Sequence, residues 1–155
     1  MILKAQQSSS ASLGSEKYRS IAEVADMFSI KGDFVEAEDI NTVMINATYR
    51  VTFENSEGCR NRYILQRINT NVFKDPKAVM KNVERVTRHI NWKVLRVRKD
   101  ASGQTLNLFP ARGGKYYVMG PNGGYWRCYN NLEGTHTYDV VESTKQAYEA
   151  GYAFG

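Results

Sequence analysis

The stretch that decides the fold is Tyr63-Ile64-Leu65-Gln66-Arg67-Ile68-Asn69-Thr70-Asn71-Val72-Phe73, which Asp75-Pro76 connects to residues 77–90, KAVMKNVERVTRHI. Residues 62–68 have the composition of a β-strand, and the Asn-rich residues after them are typical of a turn. Pro76 suits the first turn of a helix, where its missing N–H costs nothing, and Asp75 suits the capping position. The stretch therefore predicts a strand, a short turn and a helix, in that order.

The predicted helix carries an apolar stripe in which residues recur at intervals of three and four. The stripe consists of Val79, Val83, Val86 and Ile90. This spacing is typical of an amphipathic helix that lays one side against a core. We predict that the stripe belongs to the hydrophobic core and is not a functional surface.

A second strand precedes this stretch in the chain. Residues 45–53 alternate, with aromatic and aliphatic side chains on one face and Arg50 and Thr52 on the other. The polar residues 54–58 are typical of a turn, so this strand and the one before the helix are predicted to form an antiparallel hairpin. A weaker alternation in residues 34–39 predicts one more strand.

The remaining elements follow from the same signals. We predict strands at Thr105–Phe109, Tyr116–Met119 and Tyr125–Tyr129, and helices at Tyr18–Phe28 and Glu142–Ala153, the last capped by Ser143. The predicted fold class is α+β: a five- to six-stranded antiparallel sheet with one long helix after the third strand, plus N- and C-terminal helices. Many unrelated domains share this outline, so the fold class by itself does not indicate a function.

Composition narrows the class of protein further. The chain of 155 residues is long enough for one domain, and it has no run of about 18 apolar residues that would predict a membrane span. Residues 1–17 are rich in Ser and Gln and lack the apolar core of a signal peptide, so we predict a disordered leader and a cytoplasmic protein.

Cys59 and Cys128 form no metal-binding or redox pair and are predicted to be reduced, structural residues. His89 and His136 belong to no catalytic motif and are predicted to be surface or packing residues.

The formal net charge of +5 indicates a basic surface. Such a surface is compatible with a phosphate-bearing partner, and equally with Lys and Arg side chains that are merely solvated. The sequence shows no RNA motif that combines aromatic residues with glycine, and no recognition helix, so we predict no nucleic-acid partner.

The predicted order of strand, strand, strand, helix and strand is that of the small lobe of kinases. In such lobes the third strand offers a side chain to the nucleotide phosphates, usually Lys, and a helix Glu steadies it. Here the third strand offers Gln66 or Arg67, which lie on opposite faces, so only one of them can face a cleft. Following the alternation, Ile64 would touch adenine, Gln66 would take the place of the lysine, and Glu84 is the helix carboxylate within reach.

Two connections complete the expected site. Residues 39–49 would form the loop over the phosphates, where Asn46 or Thr48 could donate a hydrogen bond; they contain no glycine, and an ordinary strand connection fits them as well. Residues 125–134 would form a strand that leads into a connector whose backbone binds the adenine edge. An edge strand with its loop fits this segment equally well.

Several segments together resemble the N-acetylhexosamine 1-kinases, which belong to the aminoglycoside, choline and homoserine kinase-like phosphotransferases. The matching segments are YILQRINTNVF (63–73), the helix Val79–Thr87 with its Asn82-Val83-Glu84 core, Tyr125-Trp126-Arg127, and the closing Glu149-Ala150-Gly151. The similarity covers roughly Asp26–Gly155.

This resemblance implies phosphorylation of the anomeric hydroxyl of N-acetylglucosamine or N-acetylgalactosamine, with ATP and magnesium, in a two-lobed enzyme. It divides the chain into a leader at 1–17, a nucleotide-binding N-terminal lobe at 18–134, and a hinge exit with the first helix of a C-terminal lobe at 135–155. In that family the catalytic Asp and the metal-binding acids lie in the C-terminal lobe, beyond the segments matched here. The resemblance therefore implies an inactive, truncated enzyme, and no magnesium ligand in this chain.

The resemblance also assigns site residues. It implies nucleotide contacts at Thr42, Val43, Asn46, Ile64, Gln66, Glu84, Asn131 and Leu132, and a sugar contact at Met44. The family's first loop reads like G-x-G-H-I-N-x-T-Y, whereas residues 41–49 here keep the Ile-Asn and Thr-Tyr pairs and lack both glycines and the histidine. The alternative is a non-enzymatic module derived from such a lobe, which binds a partner or self-associates through its exposed cleft face.

Overall fold

A computed structural model of the protein describes residues 4–40, 45–97, 105–134 and 140–154, and the statements below refer to these ranges. The elements in chain order are α1 (Lys4–Asp26), β1 (Asp33–Asp39), β2 (Ala47–Glu54), β3 (Arg60–Arg67), α2 (Pro76–Val97), β4 (Leu108–Phe109), β5 (Val118–Met119), β6 (Tyr125–Asn130) and α3 (Thr144–Phe154). The described strands make one six-stranded antiparallel sheet. The predicted α+β class, the sheet and the helix after the third strand are confirmed.

Strands β1, β2 and β3 are successive neighbours in the sheet. The predicted hairpin of β2 and β3 is confirmed, with Val51 opposite Tyr63 and Glu54 opposite Arg60. The turn between them is built by Asn55, whose side-chain oxygen accepts hydrogen bonds from the N–H groups of Glu57 and Cys59. This is the local side-chain bonding that makes Asn a favoured turn residue.

Strand β1 reaches the core through an irregularity in its pairing with β2. The register shifts between Phe34 and Glu36, so Phe34 lies opposite Phe53 and Ala37 lies opposite Val51. Such a bulge inserts one unpaired residue and bends the strand. It explains why the sequence alternation in this strand is weak although the strand forms.

Strand β6 completes the centre of the sheet on the far side of β3. The order of neighbours is β1-β2-β3-β6-β4, and β5 also pairs with β6. The predicted hairpin turn between β5 and β6 is confirmed by a hydrogen bond from the Gly120 N–H to the Gly124 carbonyl at 2.8 Å. β3 is therefore a central strand, flanked by β2 and β6, and its side chains can meet residues of both neighbours.

The hydrophobic core lies between α1 and one face of the sheet. The core includes Ile21, Val24 and Ala25 of α1, and Phe28, which lies two residues after the end of this helix. From the sheet it takes alternate residues of each strand, Ala37, Tyr49, Val51, Phe53, Leu65, Trp126 and Cys128, joined by Ala111 and Val118. We call this side of the sheet the core face. The predicted helix at residues 18–28 is thus a principal core element, although Tyr18 is exposed.

Helix α2 begins as the sequence predicts. The side-chain oxygen of Asp75 accepts a hydrogen bond from the Ala78 N–H at 3.0 Å, which confirms the predicted cap. The predicted core role of the stripe is wrong for its second half, because Val86 is 50% and Ile90 44% exposed. The core face of the sheet is covered by α1 and not by α2. The first half of the stripe, Val79 and Val83, is half-buried, and Pro76 and Met80 are the buried residues among those described in α2.

The prediction is wrong for most of the N-terminal segment and correct for the start of the last helix. Helix α1 begins at Lys4, so most of the segment predicted to be a disordered leader is helical. Its Ala, Gln, Leu, Glu and Lys residues have high helix propensity even though they offer little apolar surface. At the other end, the Ser143 hydroxyl accepts a hydrogen bond from the Gln146 N–H, which confirms the predicted cap of α3. Within the described ranges, no helix combines the length and apolar character needed to cross a membrane.

The two cysteines are free, as predicted, and occupy different environments. Cys59 is exposed in the β2–β3 turn region, whereas Cys128 is fully buried in the core face. Burial raises the pKa of the Cys128 thiol far above its usual range, because a thiolate there would lose its hydration. Cys128 is therefore a packing residue.

Candidate functional site

The side of the sheet opposite the core face carries polar side chains. We call it the polar face and define it by six residues of the three central strands: Thr48 and Arg50 of β2, Ile64 and Gln66 of β3, and Arg127 and Tyr129 of β6. The register places Gln66 between Thr48 and Arg127, and Ile64 between Arg50 and Tyr129. The six side chains therefore form two adjacent rows across the sheet.

Gln66 is the centre of a hydrogen-bonded row. It is 4% exposed. Its amide nitrogen donates to the Thr48 hydroxyl at 2.9 Å. Its amide oxygen accepts from Nε of Arg127 at 3.0 Å and from Nη2 of Arg127 at 2.6 Å. The row links the three central strands, and both ends of the Gln66 amide are used.

Arg127 is held on the polar face without a counter-ion. Burial lowers the pKa of its guanidinium, because the charged form loses hydration there. In the described ranges, no carboxylate lies within ion-pair distance of it. Its neighbour on the polar face, Arg50, is different, because Nη1 of Arg50 donates to Glu38 at 2.7 Å.

The structure places the two candidates on the third strand on opposite sides of the sheet, as alternation predicts. Gln66 lies on the polar face and is buried, whereas Arg67 is exposed on the opposite side. Arg67 lies against Gly124, where a Cβ atom would sit 2.4 Å from the Arg67 Nε. It lines a depression shared with Ala47 and Trp126, which belong to the core side of the sheet. Arg67 therefore cannot act on the same side as Ile64.

Glu84 does not steady Gln66. No hydrogen bond joins these two side chains; Glu84 instead forms an ion pair with Arg88, one turn later in α2. Glu84 lines a groove of about 360 Å³ with Asn91 of α2 and Leu108 of β4. Strand β6 separates β4 from β3, so the groove lies two strands away from Gln66. The expected pairing of Glu84 with Gln66 fails. Helix periodicity shows which residues share one face of α2, but it does not show which strand of the sheet that face lies against.

Ile64 provides an apolar patch beside this row. It is 7% exposed and lies opposite Tyr129 in the register. Burial raises the pKa of the Tyr129 hydroxyl, because the phenolate would be poorly hydrated. The polar face thus has an apolar pair, Ile64 and Tyr129, next to the hydrogen-bonded row of Gln66, and the two rows are two residues apart along each strand.

The exit from β6 is tied back to β3. The Asn131 N–H donates to the Arg62 carbonyl at 3.4 Å, and the Asn131 side chain donates to Glu133 at 2.8 Å. Glu133 also accepts from Arg62. Leu132 is half-buried between these residues in the chain. The predicted connector contacts therefore lie at the Ile64 end of the polar face, and the Asn131 N–H already has a protein acceptor.

The start of β2 is tied to the end of β3 in the same way. The Asn46 side-chain oxygen accepts from the Asn69 N–H at 2.8 Å, and the Asn69 side chain donates to the Ile45 carbonyl at 3.0 Å. The Thr48 hydroxyl donates to the Asn46 carbonyl as well as accepting from Gln66. Asn46 and Thr48 thus join the start of β2 to the end of β3. The predicted site residues Thr42, Val43 and Met44, like His136, lie outside the described residues.

Sequence reasoning missed Arg127 as a site residue. The available signal was the alternation in Tyr125–Asn130, where Trp126 and Cys128 face the core and Arg127 must therefore share a side with Tyr129. Alternation alone did not show that Arg127 lies beside Gln66, because this contact depends on the pairing of β3 with β6.

Two further observations complete the description of the site. In the described ranges, no group of three or more His, Cys, Asp or Glu side chains is arranged to hold a metal ion. The described residues therefore do not fit a magnesium site. A comparison of the chain with models of known protein families finds no match.

Proposed function

We propose that this chain is the nucleotide-binding part of an ATP-dependent sugar 1-kinase of the N-acetylhexosamine type. The observation that carries the proposal is the position of Ile64 and Gln66, which follow one another along the polar face of a central strand. The start of β2 lies at the Gln66 end of this pair, and the exit from β6 lies at the Ile64 end.

This arrangement supports the proposal because it matches the two chemical parts of ATP. An adenine ring requires an apolar surface with backbone groups at its edge, and the row of Ile64 and Tyr129 next to the β6 exit offers one. The phosphates require hydrogen-bond donors and positive charge, since transfer of a phosphoryl group depends on positioning and charge stabilisation. The row of Gln66 and Arg127 lies on the side of Ile64 that faces the start of β2.

Sequence adds the second support. The segment Tyr63–Phe73 and helix α2 resemble the N-acetylhexosamine 1-kinases, and the described order of three strands, a long helix and further strands agrees with such a lobe. The role of this chain in that proposal is to bind and orient the nucleotide. The sugar class rests on the resemblance alone.

ATP binding is the first test. We expect the purified chain to bind ATP saturably, and Ile64→Ala to weaken this binding by roughly tenfold or more, because the lost methyl groups would no longer cover the base. The measurement is isothermal titration calorimetry with ATP and, separately, with adenosine.

Ile90→Ala serves as the matched control, since Ile90 is half-exposed on α2 and outside the polar face. It should leave the affinity for ATP unchanged. Absence of saturable ATP binding by the unmodified chain would refute the proposal, and so would equal affinities of the unmodified chain and a folded Ile64→Ala variant.

A second candidate function is self-association, and a specific observation favours it. Val86 and Ile90 lie one turn apart on α2 and are both about half exposed, so the described structure leaves part of an apolar stripe in contact with water. Exposed apolar patches commonly mark interaction surfaces. The site for self-association would then be this stripe, which lies outside the polar face.

Sedimentation equilibrium tests this candidate. We expect a reversible dimer in the unmodified chain and a monomer in the double variant Val86→Glu/Ile90→Glu, because a charge placed in an apolar contact must lose its hydration. Tyr18→Glu is the control, an exposed residue on α1, and it should remain dimeric. A monomeric unmodified chain at high concentration would rule out self-association.

A further inference from the structure

Arg127 has a combination of properties that the packing of the sheet does not explain. It is half-buried, and it has no carboxylate partner in the described ranges. Removing a guanidinium from water is costly unless the charge is paired or fully hydrogen-bonded. Such a residue on a nonfunctional surface would ordinarily be turned outward to solvent or paired with an acid, as Arg60 is with Glu54.

The hydrogen bonds of Arg127 leave much of the guanidinium free for a ligand. A guanidinium carries five N–H donors in a planar fork. Two of its donors, on Nε and Nη2, share the single Gln66 oxygen. Nη1 has no acceptor among the described residues. The free side of a fork held in this way suits the bidentate recognition of a phosphate oxygen pair.

Gln66 fixes the orientation of this fork. Its amide nitrogen is held by Thr48 on one neighbouring strand, so its oxygen points at Arg127 on the other. A neutral amide orients the guanidinium without cancelling its charge, whereas a carboxylate would neutralise it. Gln66 is therefore a positioning residue, and Arg127 is the residue that would meet the anion.

The neighbouring cations are not equivalent to Arg127. Arg50 on the same face is paired with Glu38, and Arg62 at the far end of β3 is paired with Glu133. Arg67 lies on the opposite side of the sheet. Of the arginines on these three strands, Arg127 alone is described as half-buried, on the polar face and without an acidic partner.

We propose that Arg127, oriented by Gln66, binds the phosphate chain of a nucleotide, and so supplies the positive charge that a lysine on the third strand would otherwise supply. The ligand class is a polyphosphate anion. The assignment of the anion to a nucleotide rests on the function proposed above, whereas the anion site itself rests on the geometry of Arg127.

The experiment uses two probes, ATP and inorganic tripolyphosphate, titrated into the full chain by calorimetry at low and at raised salt. We expect Arg127→Gln to weaken the binding of both probes by roughly 10- to 100-fold, the range expected for lost hydrogen bonds to a charged group. Raised salt should weaken binding to the unmodified chain and have less effect on the variant. Arg67→Gln makes the same charge change on the other side of the sheet and should bind both probes normally.

Gln66→Glu is a second variant that keeps Arg127 in place. It puts a carboxylate on the guanidinium, so we expect it to fold and to lose binding of both probes to a similar degree. Arg127→Lys keeps the charge without the fork and should bind with intermediate affinity. Far-UV circular dichroism and a urea unfolding curve establish that each variant is folded.

The outcomes separate the two proposals. If tripolyphosphate binds in a manner that depends on Arg127, and ATP binds no more tightly than tripolyphosphate, the anion site stands and the nucleotide function fails. If ATP binds and a folded Arg127→Gln or Gln66→Glu variant binds it equally well, the nucleotide function stands and the role of Arg127 is refuted. If the unmodified chain binds neither probe, both proposals are overturned.

Discussion

Replacing Phe28 with alanine is expected to lower the free energy of unfolding by about 3–5 kcal/mol, the usual cost of truncating a buried aromatic residue. Phe28 is 2% exposed and is among the largest fully buried side chains. It lies just after α1 and pairs through its backbone with Ala111. The loss would be a large part of the total stability of a domain, typically about 5–15 kcal/mol.

The measurement is urea denaturation followed by far-UV circular dichroism, with Trp92→Ala as the control. Trp92 is an even larger aromatic residue, but it lies on α2 with 51% exposure and stacks on His89. Its replacement should cost less than about 1 kcal/mol, the scale of exposed aromatic contacts. The reverse ranking of the two variants would mean that α2, and not α1, covers the core face.

Gly32→Ala is expected to destabilise the protein by about 2–5 kcal/mol, through backbone strain and a steric clash together. Gly32 has a φ angle of +104°, which residues with a Cβ rarely adopt. A Cβ atom there would lie 2.4 Å from the Glu54 carbonyl oxygen. That oxygen belongs to the end of β2, which pairs with the start of β1 and cannot easily move away.

Gly58→Ala separates the two contributions. Gly58 has a φ angle of +77° and no atom within 4 Å of the position of a Cβ, so only the backbone strain remains. We expect a loss of about 1–2 kcal/mol. Both variants are compared with the unmodified protein by chemical denaturation. Equal losses for the two glycines would show that β2 relaxes away from residue 32 without cost.

The sheet could be predicted well because its signals are local. The alternation in residues 45–53, the turn at Asn55 and the capping position of Asp75 each depend on neighbours a few residues away, and all three are confirmed. The weakest strand prediction, residues 34–39, was also correct. Its irregular pattern is explained by the bulge that sets Phe34 and Ala37 on the core face.

The candidate site could be predicted only in part. Alternation showed that Gln66 and Arg67 point to opposite sides, and it placed Gln66 on the same side as Ile64. What alternation could not show is the neighbour on the next strand, because the pairing of β3 with β6 places Arg127 beside Gln66. The same pairing explains why Glu84 stays away from Gln66: strand β6 lies between β3 and the groove that Glu84 lines.

The sequence by itself did not predict the part of α1 before Tyr18, and it predicted longer strands than the two-residue β4 and β5. It determined the order of the elements, the positions of the central strands, and where two of the helices are capped. It did so because periodicity, turn chemistry and capping act over a few residues. Only the tertiary structure decided that α1 covers the core face, that the α2 stripe is half exposed at Val86 and Ile90, and that Gln66 orients Arg127. These features depend on which distant segments pack together, and an amphipathic pattern shows that a face needs a partner without specifying which partner covers it.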